Sequence, residues 1–204
     1  MTDARLIDVR SPREPRGQVV VLHGGASRPG SPEVSPTQLS VLRMVPVARR
    51  LARVSKDLAV VRLLNSRRGW DTERTPVADV DWALAELRDR YGSLPTCLVG
   101  HSLGGRAALL AGDRDEVRGV VALNPWVYPY DDADLSGRRV LIVHGTEDRV
   151  APLDRARAVA RNLARRTDVE FVEVPGGKHA MLRHGAVFER AAASFVSDTL
   201  ARVP

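Results

Sequence analysis

The chain has 204 residues, 44% of them hydrophobic and 27% charged, with one cysteine; this suits a single globular domain over 1–204 and leaves no room for a disulfide framework or a cysteine-rich zinc site. The net charge is +6, but of the 31 basic residues only Lys56 and Lys178 are lysine, and the arginines scatter at helical spacing, so the charge reads as solvated surface and no nucleic-acid partner is expected. No run approaches the roughly 18 apolar residues that span a bilayer, and Asp3 stands where a signal peptide would carry positive charge, so a cytoplasmic location without membrane association is expected.

In chain order, residues 6–9 are a candidate edge strand and 18–22 (QVVVL) the first core strand. Ser35-Pro36-Thr37-Gln38 carries the signature of a helix start: a serine N-cap, proline at the first helical position and glutamine closing a capping box. That helix is expected to run to about Ser55, bent or interrupted at Pro46, which lacks an N–H. A strand at 58–64 (LAVVRLL) follows, then a helix from Thr75-Pro76 to Tyr91 ended by Gly92. Strands at 96–100, 119–123, 140–143 and 169–174 alternate with helices at 103–112, 152–166 and 184–202. Several strands are apolar throughout, as strands covered on both faces must be. The alternation predicts an α/β three-layer sandwich: a mostly parallel central sheet of about six to seven strands with helices on both faces.

The chemistry concentrates at strand ends. Gly100-His101-Ser102-Leu103-Gly104 follows an apolar strand and opens a helix, the setting a G-x-S-x-G elbow needs to hold a serine hydroxyl clear on a sharp turn. A serine needs a base and an orienting acid. The strand at 140–143 runs into His144-Gly145-Thr146-Glu147-Asp148, and the strand at 169–174 into Pro175-Gly176-Gly177-Lys178-His179. The order Ser102, Asp148, His179 makes His179 the candidate base and Asp148 the acid, with His184 and Glu147 as their nearest rivals. Oxyanion donors are expected from the backbone N–H of Leu103, at the positive end of its helix, and of Gly25 in His23-Gly24-Gly25-Ala26, with Ala26 as the alternative.

Through VVVLHGG, LVGHSLGG, VLIVHGTEDRVAP and VPGGKHAML the chain resembles an α/β-hydrolase over nearly its whole length, most of all the small esterase, lipase and dienelactone-hydrolase-like branches. The resemblance implies Ser102 as nucleophile, Asp148 as acid (its H-G-x-x-D spacing selecting this residue over Glu147), His179 as base, and Gly25 and Leu103 as the oxyanion hole. The elbow residue is serine where dienelactone hydrolases carry cysteine and the epoxide-hydrolase and haloalkane-dehalogenase branches aspartate, which points to a serine esterase or thioesterase. Many relatives insert a cap between the strands ending at Leu123 and starting at Val140. Here about 16 residues separate them, so no cap domain and an open site are expected.

Trp70, Trp126, Tyr128 and Tyr130 all fall in loops at the carboxyl edge, where such sheets bind ligands, and are candidate walls of the substrate pocket. Arg28, Arg67, Arg68 and Arg149 share that edge and could attract an anion, although solvated surface accounts for them as well. His23 and His101 are read as loop-orienting, and Cys97 as a small buried hydrophobe. The irregular 26–36 segment is a candidate flap. With no H-E-x-x-H or C-x-x-C spacing, neither metal nor cofactor is expected. The expected activity is hydrolysis of a small to medium carboxylic ester or thioester through an acyl-enzyme, with a small-molecule substrate as the partner. An acyltransferase or editing thioesterase would use the same residues, and a non-catalytic ligand-binding protein would keep only the fold. Oligomeric state leaves no mark in the sequence.

Overall fold

Seven strands form one sheet in a computed structural model that describes residues 3–26, 30 and 32–202. They are β1 (Arg5–Arg10), β2 (Gly17–Leu22), β3 (Leu58–Leu64), β4 (Thr96–His101), β5 (Val117–Leu123), β6 (Arg139–Gly145) and β7 (Asp168–Val174), in the spatial order β1-β3-β2-β4-β5-β6-β7. β1 pairs antiparallel with β3 at one edge, and every other pairing is parallel. The expected edge strand is therefore present, longer than its apolar residues suggested.

Among the described residues six helices cover the sheet: α1 (Leu39–Leu42), α2 (Met44–Leu51), α3 (Thr75–Tyr91), α4 (Leu103–Leu110), α5 (Leu153–Leu163) and α6 (Gly185–Leu200). Alternate residues of one strand feed two cores. Val20 and Leu22 pack with α3, α4 and α5 through residues such as Leu84, Ala108 and Val159. Val19 and Val21 pack with α2 and α6 through Met44, Leu51, Phe188 and Phe195. Because water is excluded from both faces, the central strands need apolar side chains at every position, each worth about 1.5–3 kcal/mol for a valine or leucine. Cys97 lies fully buried in the second core, and burial pushes its thiol up to about 12.

The first helix departs from expectation. Ser35 Oγ accepts from the Thr37 N–H at 3.3 Å and pairs with the Thr37 hydroxyl, closing a local turn instead of a capping box. Helix starts only at Leu39 after an extended Gln38, and it breaks at Arg43, ahead of Pro46. Pro46 then falls in the first turn of α2, where an N–H has no intrahelical partner and proline costs nothing. The α3 start also differs. Arg74 stands at the N-cap position without a capping side-chain bond, and Asp71 Oδ1 accepts from the Thr75 N–H at 2.8 Å. The last three helices end two to three residues short of their predicted ends.

Parallel strands bring their carboxyl ends to one edge, and the loops after β2, β4, β5, β6 and β7 meet there. The stretch between β5 and β6 contains no helix, so it forms no helical cap over that edge. Among the described residues no helix is long and apolar enough to cross a membrane.

Candidate active site

Ser102 sits between β4 and α4 with φ 57° and ψ −119°, a left-handed conformation that costs a non-glycine residue about 1–3 kcal/mol. The surroundings over-determine it. Its N–H donates to the Leu123 carbonyl at 3.0 Å, and its own carbonyl accepts from the N–H groups of Arg106 and Trp126 at 3.1 and 3.0 Å. The two motif glycines are required by close approach. A Cβ on Gly100 would overlap the Gly104 carbonyl, and one on Gly104 would stand 2.6 Å from the carbonyl oxygens of Leu22 and His23. Although Ser102 occupies the N-cap position of α4, its side chain makes no capping bond. Its Oγ lies 2.9 Å from His179 Nε2 instead.

Asp148 and His179 complete one hydrogen-bonded chain. His179 Nδ1 donates to Asp148 Oδ2 at 2.7 Å. Because a carboxylate can only accept, this leaves Nε2 free to accept the Ser102 hydroxyl proton. Asp148 Oδ1 takes the N–H groups of Val150 and Ala151 at 2.8 and 2.9 Å. Burial by itself would raise the Asp148 pKa, but the hydrogen bonds from His179, Ala151 and Val150 and the attraction of His179 hold it below the usual carboxylate value. Glu147 is exposed, and only its backbone joins the next loop, donating to the Gly177 carbonyl. His184 stands at the N-cap position of α6 beside Gly176 and does not line the cavity over the serine.

Two buried side chains fix the His179 backbone. The His179 carbonyl accepts from His101 Nε2 at 2.8 Å and from Asn124 Nδ2 at 3.3 Å. Asn124 also donates to the Lys178 carbonyl at 3.1 Å and accepts the Gly145 N–H at 2.7 Å, so one amide ties the ends of β5, β6 and β7. Its φ of 43° suits asparagine, which tolerates the left-handed region better than most residues. Sequence reading passed over Asn124; the only available signal was an asparagine directly after a core strand and before Pro125. His101 plays the orienting part expected of it. Burial, and secondarily the nearby charge of His179, draw its pKa down to about 3. His23 is likewise neutral: its Nδ1 donates to the Gly24 carbonyl at 2.6 Å and its Nε2 accepts the Asn65 N–H at 3.2 Å, with burial drawing its pKa down to about 4.

A cavity of about 420 Å³ opens over Ser102 and His179. Gly25 and Ala26 line one side, and Leu103, Trp126 and Val150 are among its other walls. The two predicted oxyanion positions, Gly25 and Leu103, thus both face the space in front of the serine. Of the four aromatic candidates, Trp126 lines this cavity. Trp70, Tyr128 and Tyr130 do not; that expectation is corrected. Trp70 and Tyr128 gather instead around Arg106 of α4, whose guanidinium lies over Trp70 at 4.1 Å, Tyr128 at 5.1 Å and Trp126 at 5.5 Å. It also pairs with buried Asp131 at 2.7 Å. A guanidinium taken out of water needs such company. Tyr130 stacks on Tyr128 and is 73% exposed.

The arginine expectation also shifts. Arg67 approaches Asp3 at 4.0 Å and Arg149 is exposed, while neither these two nor Arg68 lines the cavity; Arg28 lies outside the described residues, as do Ser27, Pro29 and Ser31 of the candidate flap. Arg43, which sequence reading did not single out, lines the cavity instead. Among the described residues no cluster of three or more His, Cys, Asp or Glu could hold a metal ion.

The sequence model of a family described as "Alpha/beta hydrolase family" matches residues 82–192. No curated protein sequence matches the chain. Among solved structures, the lidless α/β serine hydrolase XC6422 from Xanthomonas campestris aligns with a TM-score of 0.75 at 19% identity, over 98% of this chain and 90% of that one. Est1E from Butyrivibrio proteoclasticus aligns with a TM-score of 0.71 at 18% identity, over 98% and 94%. The esterase domain of a Rhodothermus marinus protein gives 0.70 at 17% identity, over 97% and 92%. At these identities the likeness is one of fold.

Proposed function

The chain belongs to the alpha/beta hydrolase family, and on that premise we propose that it is a serine hydrolase of small to medium carboxylic esters or thioesters, working through an acyl-enzyme on Ser102. One observation carries this reading: the continuous chain Ser102 Oγ–His179 Nε2, His179 Nδ1–Asp148 Oδ2, at 2.9 and 2.7 Å, set on an elbow that holds the serine at a positive φ. Esterases and serine hydrolases among the similar folds support it.

In this mechanism His179 Nε2 takes the hydroxyl proton as Ser102 Oγ attacks the carbonyl carbon. Asp148, held by three donors, keeps the imidazole in the tautomer that can accept and stabilises the imidazolium that forms. The tetrahedral oxyanion is met by the N–H groups of Leu103 and Gly25, each worth about 10²–10³ in turnover. His179 returns the proton to the departing alcohol or thiol. Water, deprotonated by the same nitrogen, then releases the acid and restores the serine. An uncapped site of this size admits both a modest acyl group and water.

The test is labelling with a fluorophosphonate probe, read by intact mass on wild type, Ser102→Ala and His179→Ala. A single adduct on Ser102, absent from both variants, is the expected result. Well-folded wild type that takes no label would refute the reading.

A further inference from the structure

Charge in the Ser102 cavity converges on one side chain without a partner. Arg43 stands at the break between α1 and α2 and lines the cavity with Ser102 and His179. Its Nε is buried and has no hydrogen-bond partner, and no carboxylate pairs with its guanidinium, among the described residues. Glu189 lines an adjoining hollow of about 350 Å³ that Arg43 also borders, but Glu189 is engaged by Arg50 at 3.2 Å. The buried Nε atoms of Arg68 and Arg106 lack a partner as well, but neither side chain lines this cavity, and Asp131 meets the charge of Arg106. Burial without a counter-charge draws the Arg43 pKa below the usual guanidinium value, yet arginine stays protonated in proteins. Folding has therefore placed a partly desolvated cation in the wall of the cavity that holds the reacting serine and left its buried Nε donor unspent. Leaving such donors unpaired is costly, and an oxyanion ligand would remove that cost with charge-assisted bonds. The other cavity walls, Ala26, Leu103, Trp126 and Val150, offer no competing counter-ion.

We propose that Arg43 is the specificity residue of this site, and that the substrate is an ester or thioester bearing an oxyanion group, a carboxylate or a phosphate, on one side of the scissile bond. This rests on the serine-hydrolase reading above. The anion lies at the junction of the reaction cavity and the second hollow, whose Leu42, Pro46, Val47 and Met181 give an aliphatic portion of the substrate an apolar wall. The guanidinium fork offers the anion two parallel bonds, which a lysine would not.

The experiment compares kcat/KM for 4-nitrophenyl esters of one acyl length ending in methyl, carboxylate or phosphonate, and for aryl acetates with and without a ring carboxylate. Each series is run on wild type and on Arg43→Met. Dividing the charged-to-neutral ratio of the wild type by that of the variant cancels intrinsic reactivity. The expected quotient is about tenfold or more in at least one series, expressed mainly in KM; the responding series identifies the side of the bond and the kind of anion. Arg43→Lys is expected to recover only part of it. A quotient near one throughout overturns the proposal. So does an equal loss of kcat on charged and neutral esters, which would make Arg43 a structural or oxyanion-stabilising group. Fluorophosphonate labelling of the same samples separates the two failures: labelled enzyme without charge preference refutes the role of Arg43 alone, and unlabelled enzyme refutes the hydrolase reading. Should no ester turn over, glutarate binding to Ser102→Ala and to Ser102→Ala/Arg43→Met is measured by calorimetry. Binding that disappears with Arg43 supports the proposal, and equal binding or none overturns it.

Discussion

Lowering the pH from 7.5 to 5 is expected to destabilise the fold through two histidines that cannot accept a proton where they sit. His23 and His101 are 4% and 1% exposed. His23 has both ring nitrogens committed, and protonating Nε2 would set its new N–H against the N–H of Asn65. His101 uses Nε2 on the His179 carbonyl, and its Nδ1 is buried without a partner. Burial is the main cause in each case, and it draws the two pKa values from 6.5 to about 4 and about 3.

The sign follows from proton linkage. These are bases whose folded pKa lies below the unfolded one, so between pH 6.5 and the folded value the unfolded chain holds more protons. Stability is then complete above about 6.5 and falls as the pH drops below it. At pH 5 each histidine is 1.5 units below its unfolded pKa of 6.5 and still neutral when folded; at about 1.4 kcal/mol per unit this costs about 2 kcal/mol each and about 4 together. Burial lowers the His144 pKa as well, and the effect has the same sign. Against a typical domain stability of about 5–15 kcal/mol, such a loss lowers the melting temperature by on the order of 10 °C. Most carboxylates remain ionised at pH 5, so this loss precedes ordinary acid denaturation. Urea unfolding followed by circular dichroism from pH 5 to 7.5 measures it, and His23→Gln should remove about half of the slope. A stability constant to within about 1 kcal/mol over that range, or an imidazole NMR titration of either histidine near 6.5, would refute the reasoning.

Two further outcomes follow from the site geometry. Gly104→Ala places a Cβ 2.6 Å from the Leu22 and His23 carbonyl oxygens, so one strand or the elbow must move. The expected loss is about 3 kcal/mol or more, together with fluorophosphonate labelling, and a denaturation midpoint equal to wild type would contradict it. Asn124→Gly keeps the backbone free to hold φ 43° but removes the amide that ties three strand ends. It should lower kcat about tenfold or more with little change in KM, and unfolding should show a loss of about 1–3 kcal/mol for the stranded Gly145 N–H; an unchanged kcat would deny Asn124 its positioning role.

The parts of this molecule that were legible in its sequence are those whose physical requirement is local. A central strand buried on both faces must be apolar at each position, and 58–64 was therefore read to the residue. Gly100 and Gly104 are demanded by collisions within one turn and with the adjacent strand, so the elbow shows itself as a pattern around Ser102. Asp148 and His179 were recoverable because each follows a readable strand by a short loop, and parallel strands deliver those loops to one edge.

What escaped the sequence depends on which loops meet at that edge. The aromatics were placed at the right edge but given the wrong task, because nothing local says that Arg106, four residues past the serine, turns back and draws Trp70 and Tyr128 around itself. Asn124 is an ordinary residue after a strand until Gly145, Lys178 and His179 arrive from two other strands. Pro46 breaks a helix in sequence, yet in the structure the break lies three residues earlier, where the first turn of α2 accommodates the missing N–H. Arg43 was hidden among so many arginines that no pattern could mark it. Arg68, Arg106 and Arg138 also bury an unpartnered Nε, and what sets Arg43 apart is that its unmet donor belongs to a wall of the Ser102 cavity. An unmet donor beside a nucleophile is visible only when every possible partner has a position, and the partner it lacks is then to be sought in the substrate.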